Sequence, residues 1–458
     1  MTITDTLAAS SMNTRTLFRF ATAGSVDDGK STLVGRLLFD SKAILADQLE
    51  AVARTSAERG FGSSGEELDL ALLTDGLRAE REQGITIDVA YRYFATDTRN
   101  FILADCPGHV EYTKNTVTGA STADAVVLLV DARSGVLEQT RRHLAVARLL
   151  RVPHVIVAVN KIDLVDYAES AYRGIVEDIR RVATELGIDT VLTVPVSALK
   201  GDNVVSPSAK TPWHTGETLL GLLEELPDRD RSLQTAEPFR MAVQTVIRPQ
   251  GSLAQGLDED EFRDFRGYAG QISAGSINVG DRIAVAATGG RTRVTAIWSG
   301  SDRIVSARSP QSVVLEINDQ LDLTRGSMLT DAEEVPTAHR EFGARIAWLS
   351  SNPLVAGSKV LVKHGTATVK AIIEEVRGRL DLTNLADIPS ETLDLNDIGS
   401  VRLKTASALP VEDYESHRQT GAFLVIDPQS GDTLGAGIAA PEQPEAEASA
   451  DDWLMAEG

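Results

Sequence analysis

Gly24, Gly29, Lys30 and Ser31 stand in the spacing G-x-x-x-x-G-K-S, inside the stretch GSVDDGKSTL. Residues of these types at this spacing make a phosphate-binding loop. The glycines let backbone N–H groups close around a β-phosphate, the lysine reaches the β- and γ-phosphates, and the serine hydroxyl ligates Mg²⁺. Gly24, Ser25, Val26, Asp27, Asp28 and Gly29 would form the cradle, running into Lys30, Ser31 and Thr32 at the start of a helix. Two adjacent carboxylates look misplaced beside a polyphosphate. Because the grip comes from backbone amides, side chains at the x positions can point away from the phosphates, so Asp27 and Asp28 cost less than the frame suggests. An Asp27 carboxylate also offers a seat for a monovalent cation such as K⁺, which would offset the local negative charge.

A second element, DCPGH, spans Asp105, Cys106, Pro107, Gly108 and His109. A carboxylate at Asp105 can hold the magnesium through water, and the Gly108 N–H can reach a γ-phosphate. The third, NKID, spans Asn160, Lys161, Ile162 and Asp163. A carboxylate there can accept from N1 and the exocyclic N2 of guanine, and so favours guanine over adenine. In the fourth, VSAL, the backbone amides of Ser197, Ala198 and Leu199 can meet the guanine O6. Four such elements in this order, each closing a strand-like run, imply a GTP-binding domain with Mg²⁺ at Ser31 and Asp105.

The strands that must position them are legible as short apolar runs: FRFATAG (18–24), FILAD (101–105), AVVLLVDA (125–132), HVIVAVN (154–160) and TVLTVPVSA (190–198). Each is apolar throughout and rich in β-branched residues, as strands covered on both faces by helices should be. Helix-length stretches such as EQTRRHLAVARLLR and YRGIVEDIRRVATELG alternate with them, which predicts an α/β layer with a mostly parallel sheet. ITIDVAYRYFA and RNFILAD, separated by a short polar turn, predict an antiparallel hairpin at the sheet edge. His143, in QTRRH, reads as a helix-face residue rather than a ligand. Beyond about residue 232 the texture changes to short strands punctuated by glycines, which predicts two small antiparallel β-barrels in tandem. The expected organisation is a disordered N-terminus over 1–15, a GTP-binding domain over 16–232, and barrels over 238–333 and 338–440. The last stretch, 441–458, has six acidic residues and no basic ones, and is expected to be a disordered tail.

The 458 residues are 42% hydrophobic and 24% charged, which suits two to four domains with their own cores. A net charge of −21 argues against a large nucleic-acid footprint, which needs Lys and Arg to neutralise phosphates. The single cysteine, Cys106, excludes a disulfide framework and suits a reducing compartment. The N-terminal stretch lacks a continuous apolar h-region, and the longest apolar runs fall far short of the ~20 residues that span a bilayer. A cytoplasmic chain with no membrane partner is expected.

REQGITID, with Thr86, and the upstream TDGLRAERE resemble the first switch segment of translational GTPases, whose threonine ligates Mg²⁺ only when the γ-phosphate is present. His109 matches the histidine that this family uses to position the attacking water. Elongation factors of the Tu and 1-alpha type read G-H-V-D-H-G-K in the phosphate loop. GSVDDGKSTLVGRLL instead resembles the GTPase subunit of bacterial sulfate adenylyltransferase, the large regulatory subunit of ATP sulfurylase. GHVEYTKNTVTGASTADAVVLLVDARSGVLEQTRRH, KGDNVVSPSAKTPWHTGETLL, FRMAVQTVIRPQ and DFRGYAGQISAGSINVGD agree, so the resemblance covers about residues 15–435.

The resemblance implies a GTPase in which Lys30, Thr86, Gly108 and His109 carry hydrolysis. That hydrolysis would be coupled to forming adenylylsulfate and pyrophosphate from ATP and sulfate on a smaller adenylyltransferase catalytic subunit, in a heterodimer or multiples of it. Some relatives carry a fused adenylylsulfate kinase. No second G-x-x-x-x-G-K-[ST] follows residue 31, so that phosphorylation would need a separate kinase chain. The rival reading is a translation factor delivering aminoacyl-tRNA. The net charge, Asp28 in place of histidine and the lack of any basic run weigh against it.

Overall fold

The computed structural model describes residues 16–41, 70–73, 89–106, 116, 119–227, 237–249, 264–381 and 386–440. The expectations of disorder over 1–15 and 441–458 lie outside the described residues. The chain forms two compact units, divided near residue 228. Among the described residues no helix is long and apolar enough to cross a membrane.

In the first unit, β1 (Thr16–Ala23), β2 (Ala90–Ala95), β3 (Arg99–Asp105), β4 (Ala125–Asp131), β5 (His154–Asn160) and β6 (Val191–Pro195) make one sheet in the order β2-β3-β1-β4-β5-β6. All neighbours are parallel except β2, which folds back on β3 as the expected edge hairpin. Helices α1 (Lys30–Asp40), α2 (Glu138–Leu149), α3 (Glu169–Glu185) and α4 (Leu219–Glu225) alternate with the strands. Every residue of β4 is buried, which is why that run carries no polar alternation.

The core sets the hairpin against the sheet. Phe94 stacks on Phe101 with ring centroids 4.8 Å apart, while Phe18 and Phe20 meet Phe101 edge-on at 6.3 and 6.1 Å. Leu33, Val34, Leu37 and Leu38 bury one face of α1, each contributing roughly 1.5–3 kcal/mol. Gly35 on that face lies so close to the short turn Leu70–Leu73 that an added Cβ would come within 2.1 Å of the Leu70 carbonyl oxygen. Arg99 ties the hairpin to the end of α4. Its guanidinium donates to the Leu223 and Leu226 carbonyls at 2.9 and 2.6 Å and lies 4.7 Å over the Phe18 ring.

The second unit holds two closed antiparallel β-barrels of six strands each. The first ring runs Arg282–Val285, Met328–Asp331, Arg240–Ile247, Gly267–Ala274, Ser312–Ile317 and Arg291–Ser299, and the last pairs back to the first. The second runs Lys359–His364, Ala422–Ile426, Thr433–Ala440, His339–Trp348, Ile398–Leu409 and Ala367–Asp381, and closes in the same way. Short strands Asp302–Ile304 and Ala386–Ile388 flank the rings. An ion pair between Arg240 of the first barrel and Glu412 of the second, at 2.9 Å, joins them; both side chains are at most 10% exposed.

Candidate functional site

β3 and β4 lie on opposite sides of β1, so the order in which strands are laid down reverses at β1 while the strands stay parallel, and this leaves a crevice at their carboxyl ends. The four sequence elements emerge there, after β1, β3, β5 and β6. In the loop after β1, Gly29 has φ +91 and Asp27 has φ +66, both left-handed. Glycine is needed at Gly29 for space as well, because a Cβ there would lie 2.5 Å from Asn160 Nδ2.

The loop's polar groups are knitted to one another. Lys30 Nζ donates to the Gly24 and Ser25 carbonyls at 2.8 and 2.7 Å. Asp28 differs from the expectation that it points away: it is 5% exposed and its Oδ2 accepts the Ser25 N–H at 2.6 Å. The carboxylate is thus built into the loop as an acceptor. Burial pushes the Asp28 carboxyl above its usual value, against the Ser25 hydrogen bond and the Lys30 charge. Burial likewise pulls the Lys30 ammonium down, against the attraction of Asp28 and Asp105. Asp27 is exposed, and its carbonyl accepts from Lys161 Nζ.

Asn160, the last residue of β5, bridges three elements. Its Nδ2 donates to the Asp28 carbonyl at 2.7 Å and its Oδ1 accepts the Ala198 N–H at 2.9 Å. The Ser197 amide donates to the Asp202 carbonyl at 3.1 Å. Of the three amides expected at a base carbonyl, Leu199 is left as the one whose N–H has no protein partner among the described residues. Arg36 Nη2 fixes that turn by donating to the Leu199 carbonyl at 2.6 Å.

Among the described residues, two buried oxygens in this site have no partner: Ser25 Oγ in the loop and Asp163 Oδ1 in the short turn Ile162–Val165. A buried carboxylate oxygen without a donor costs free energy, and N–H donors of a base would satisfy it. At the end of β3, Asp105 is 2% exposed and accepts the Thr22 hydroxyl at 2.9 Å. Carboxylate and hydroxyl oxygens are the hard donors that Mg²⁺ selects, so Asp105 with Ser31 suits that ion. Thr86, Pro107, Gly108 and His109 lie outside the described residues.

Cys106 is buried and its thiol is pushed up by burial, which leaves it unreactive. His143 sits on α2, 4% exposed, with burial pushing its imidazole down to about 3, so it is a neutral helix residue. One residue escaped the sequence reading. Asp131 closes β4 opposite Asn160 and binds both Arg133 and Lys161. Its signal was a lone carboxylate ending a wholly apolar strand.

The chain matches the family described as Elongation factor Tu GTP binding domain over residues 15–247, and GTP-eEF1A C-terminal domain-like over residues 341–440. It is 45% identical over 426 residues to the bifunctional enzyme NodQ of Rhizobium meliloti (strain 1021), covering 93% of this chain and 64% of that protein's length. It is 44% identical over 423 residues to sulfate adenylyltransferase subunit 1 of Alteromonas mediterranea, covering 92% of this chain and 86% of that one. A solved structure of sup35 complexed with GDP aligns with 96% of this chain and 98% of its own at 24% identity, with a TM-score of 0.42.

Proposed function

The chain belongs to the sulfate adenylyltransferase subunit 1 family, with a GTP-binding domain of the elongation factor Tu type, and from that footing we propose that it is the GTP-hydrolysing subunit of an ATP sulfurylase. Its GTP hydrolysis drives the uphill formation of adenylylsulfate and pyrophosphate from ATP and sulfate on a smaller catalytic subunit. A separate adenylylsulfate kinase would consume the product. The observation that carries the guanine nucleotide is Asp163, whose buried Oδ1 has no donor among the described residues and would accept from guanine N1–H and N2–H.

Each side chain has a role in this reading. Lys30, already held beside the loop carbonyls, neutralises charge building on the β- and γ-phosphate oxygens. Thr22 orients the Asp105 carboxylate. Ser31, Asp105 and Thr86 would hold Mg²⁺, which would supply charge neutralisation on the phosphates when bound. Gly108 and His109 orient the attacking water, and Thr86 senses the γ-phosphate. K⁺ beside Asp27 belongs to the same reading, and turnover should then fall when K⁺ is replaced by a large organic cation.

The deciding experiment is GTP turnover by this chain mixed with the smaller subunit and ATP, with and without sulfate. Turnover that rises with sulfate, in step with adenylylsulfate, supports the coupling. Turnover indifferent to the partner's substrates removes it.

A further inference from the structure

Lys161 has φ +61 and Asp27 has φ +66, two left-handed positions occupied by residues other than glycine. Such backbone persists only when surrounding contacts over-determine it. The contact that joins the two is the Lys161 ammonium, which donates to the Asp27 carbonyl. On its other side the ammonium meets Asp131 Oδ2 at 3.0 Å. Asp131 is itself fixed, 5% exposed and gripped by Arg133 through its backbone N at 2.9 Å, Nε at 3.0 Å and Nη2 at 2.6 Å. Burial raises the Asp131 carboxyl, but the Arg133 and Lys161 hydrogen bonds outweigh it and hold the group well below the usual carboxylate range. The result is a relay of charge-assisted contacts from Arg133 through Asp131 and Lys161 to the phosphate loop.

We propose that Asp131 is a positioning residue for nucleotide binding: it pins Lys161 across the phosphate loop, and so holds that loop and the Asn160–Asp163 turn in register for one guanine nucleotide. The inference rests on the guanine-nucleotide reading above. Lysine alone has a long flexible stem and a compact charge, so it needs a fixed anion to stay over one carbonyl. Asp131 supplies that anion from the most deeply buried strand of the sheet, a rigid support for a loop that must keep its shape.

The test is the dissociation rate of a fluorescent GDP from the full chain, in a double-mutant cycle of Asp131→Asn and Lys161→Met. Asp131→Asn keeps the shape and an acceptor for Arg133 while removing the charge. It should speed release by ~10-fold or more, the scale of a lost charge-assisted hydrogen bond. The double variant should release no faster than Lys161→Met alone, since Asp131 acts through that lysine. Asp131→Glu should recover part of the loss. Wild-type release from Asp131→Asn, or additive effects in the double variant, would overturn the assignment. If Asp131→Asn does not fold, Asp131→Ser, which also removes the charge, takes its place in the same cycle. Wild-type chain that fails to bind fluorescent GDP at all overturns the guanine reading and this inference with it; wild-type chain that binds separates the two.

Discussion

Asn160 and Asp28 lie 132 positions apart in the chain and are joined at 2.7 Å, the Asn160 amide donating to the Asp28 carbonyl. The same amide group accepts the Ala198 N–H, so one side chain fixes the phosphate loop against the turn after β6. Asn160→Ala should leave both backbone groups without their partner, at ~1–3 kcal/mol for each buried group. Titration with fluorescent GDP should show affinity lower by at least ~10-fold. Affinity equal to wild type would mean that the loop holds its shape without the bridge.

Gly29 faces the same amide. With φ +91 and only 2.5 Å between a Cβ and Asn160 Nδ2, Gly29→Ala meets both a left-handed backbone penalty and a clash. The expected loss is ~1–3 kcal/mol of stability in the first unit. Nucleotide release should accelerate with it, because Asn160 must yield to make room. Urea unfolding checks the first claim and stopped-flow release the second; an alanine variant matching wild type in both would refute the packing account.

Asp163 should read the exocyclic amine of the base. Inosine triphosphate has the N1 donor and lacks the amine, so it should bind roughly 10-fold or more weakly than GTP. Asp163→Asn, which replaces one acceptor oxygen by a donor, should cost GTP at least ~100-fold. Equilibrium competition against fluorescent GDP measures both. Equal affinity for GTP and inosine triphosphate would place the base elsewhere.

The two barrels should respond to pH through His417. Its Nδ1 lies 3.4 Å from Glu237 Oε2, and its Nε2 lies 3.7 Å from Glu412 Oε1. The hydrogen bond to Glu237 raises the imidazole above its ordinary value; burial opposes this, the Glu412 and Glu237 charges assist, and Arg240 opposes. A raised folded-state value stabilises fully below the unfolded value of about 6.5, and the contribution is lost as pH rises through the folded one. Unfolding of the full chain in urea should therefore show stability falling as pH rises above about 6.5, and His417→Asn should flatten that slope. A slope unchanged by the substitution would exclude this histidine as its source.

Much of this was legible in the sequence. HVIVAVN, read as a strand over 154–160, is β5 residue for residue, because a strand covered on both faces has no other way to be written. The hairpin followed from two β-rich runs and a short turn, and Phe94 opposite Phe101 shows what that pairing buries. Less visible was what the polar residues do to one another. Asp28 turns into its own loop, and Asp131 anchors a lysine on the neighbouring strand end. Neither leaves a periodic mark, because each depends on a contact made by folding and not on spacing along the chain. The two barrels were expected from the style of their strands, but which strands pair to close each ring was not legible, because strand style is local whereas pairing is a matter of register.

That closure has a consequence for recognition. Each ring strand already has a neighbour on both sides, so neither ring can be extended by a strand from another protein. Whatever meets a barrel wall must read side chains and not a bare backbone ladder. Partner choice on those faces is then set position by position, and can be retuned by single substitutions without disturbing the hydrogen bonds that hold the barrel closed.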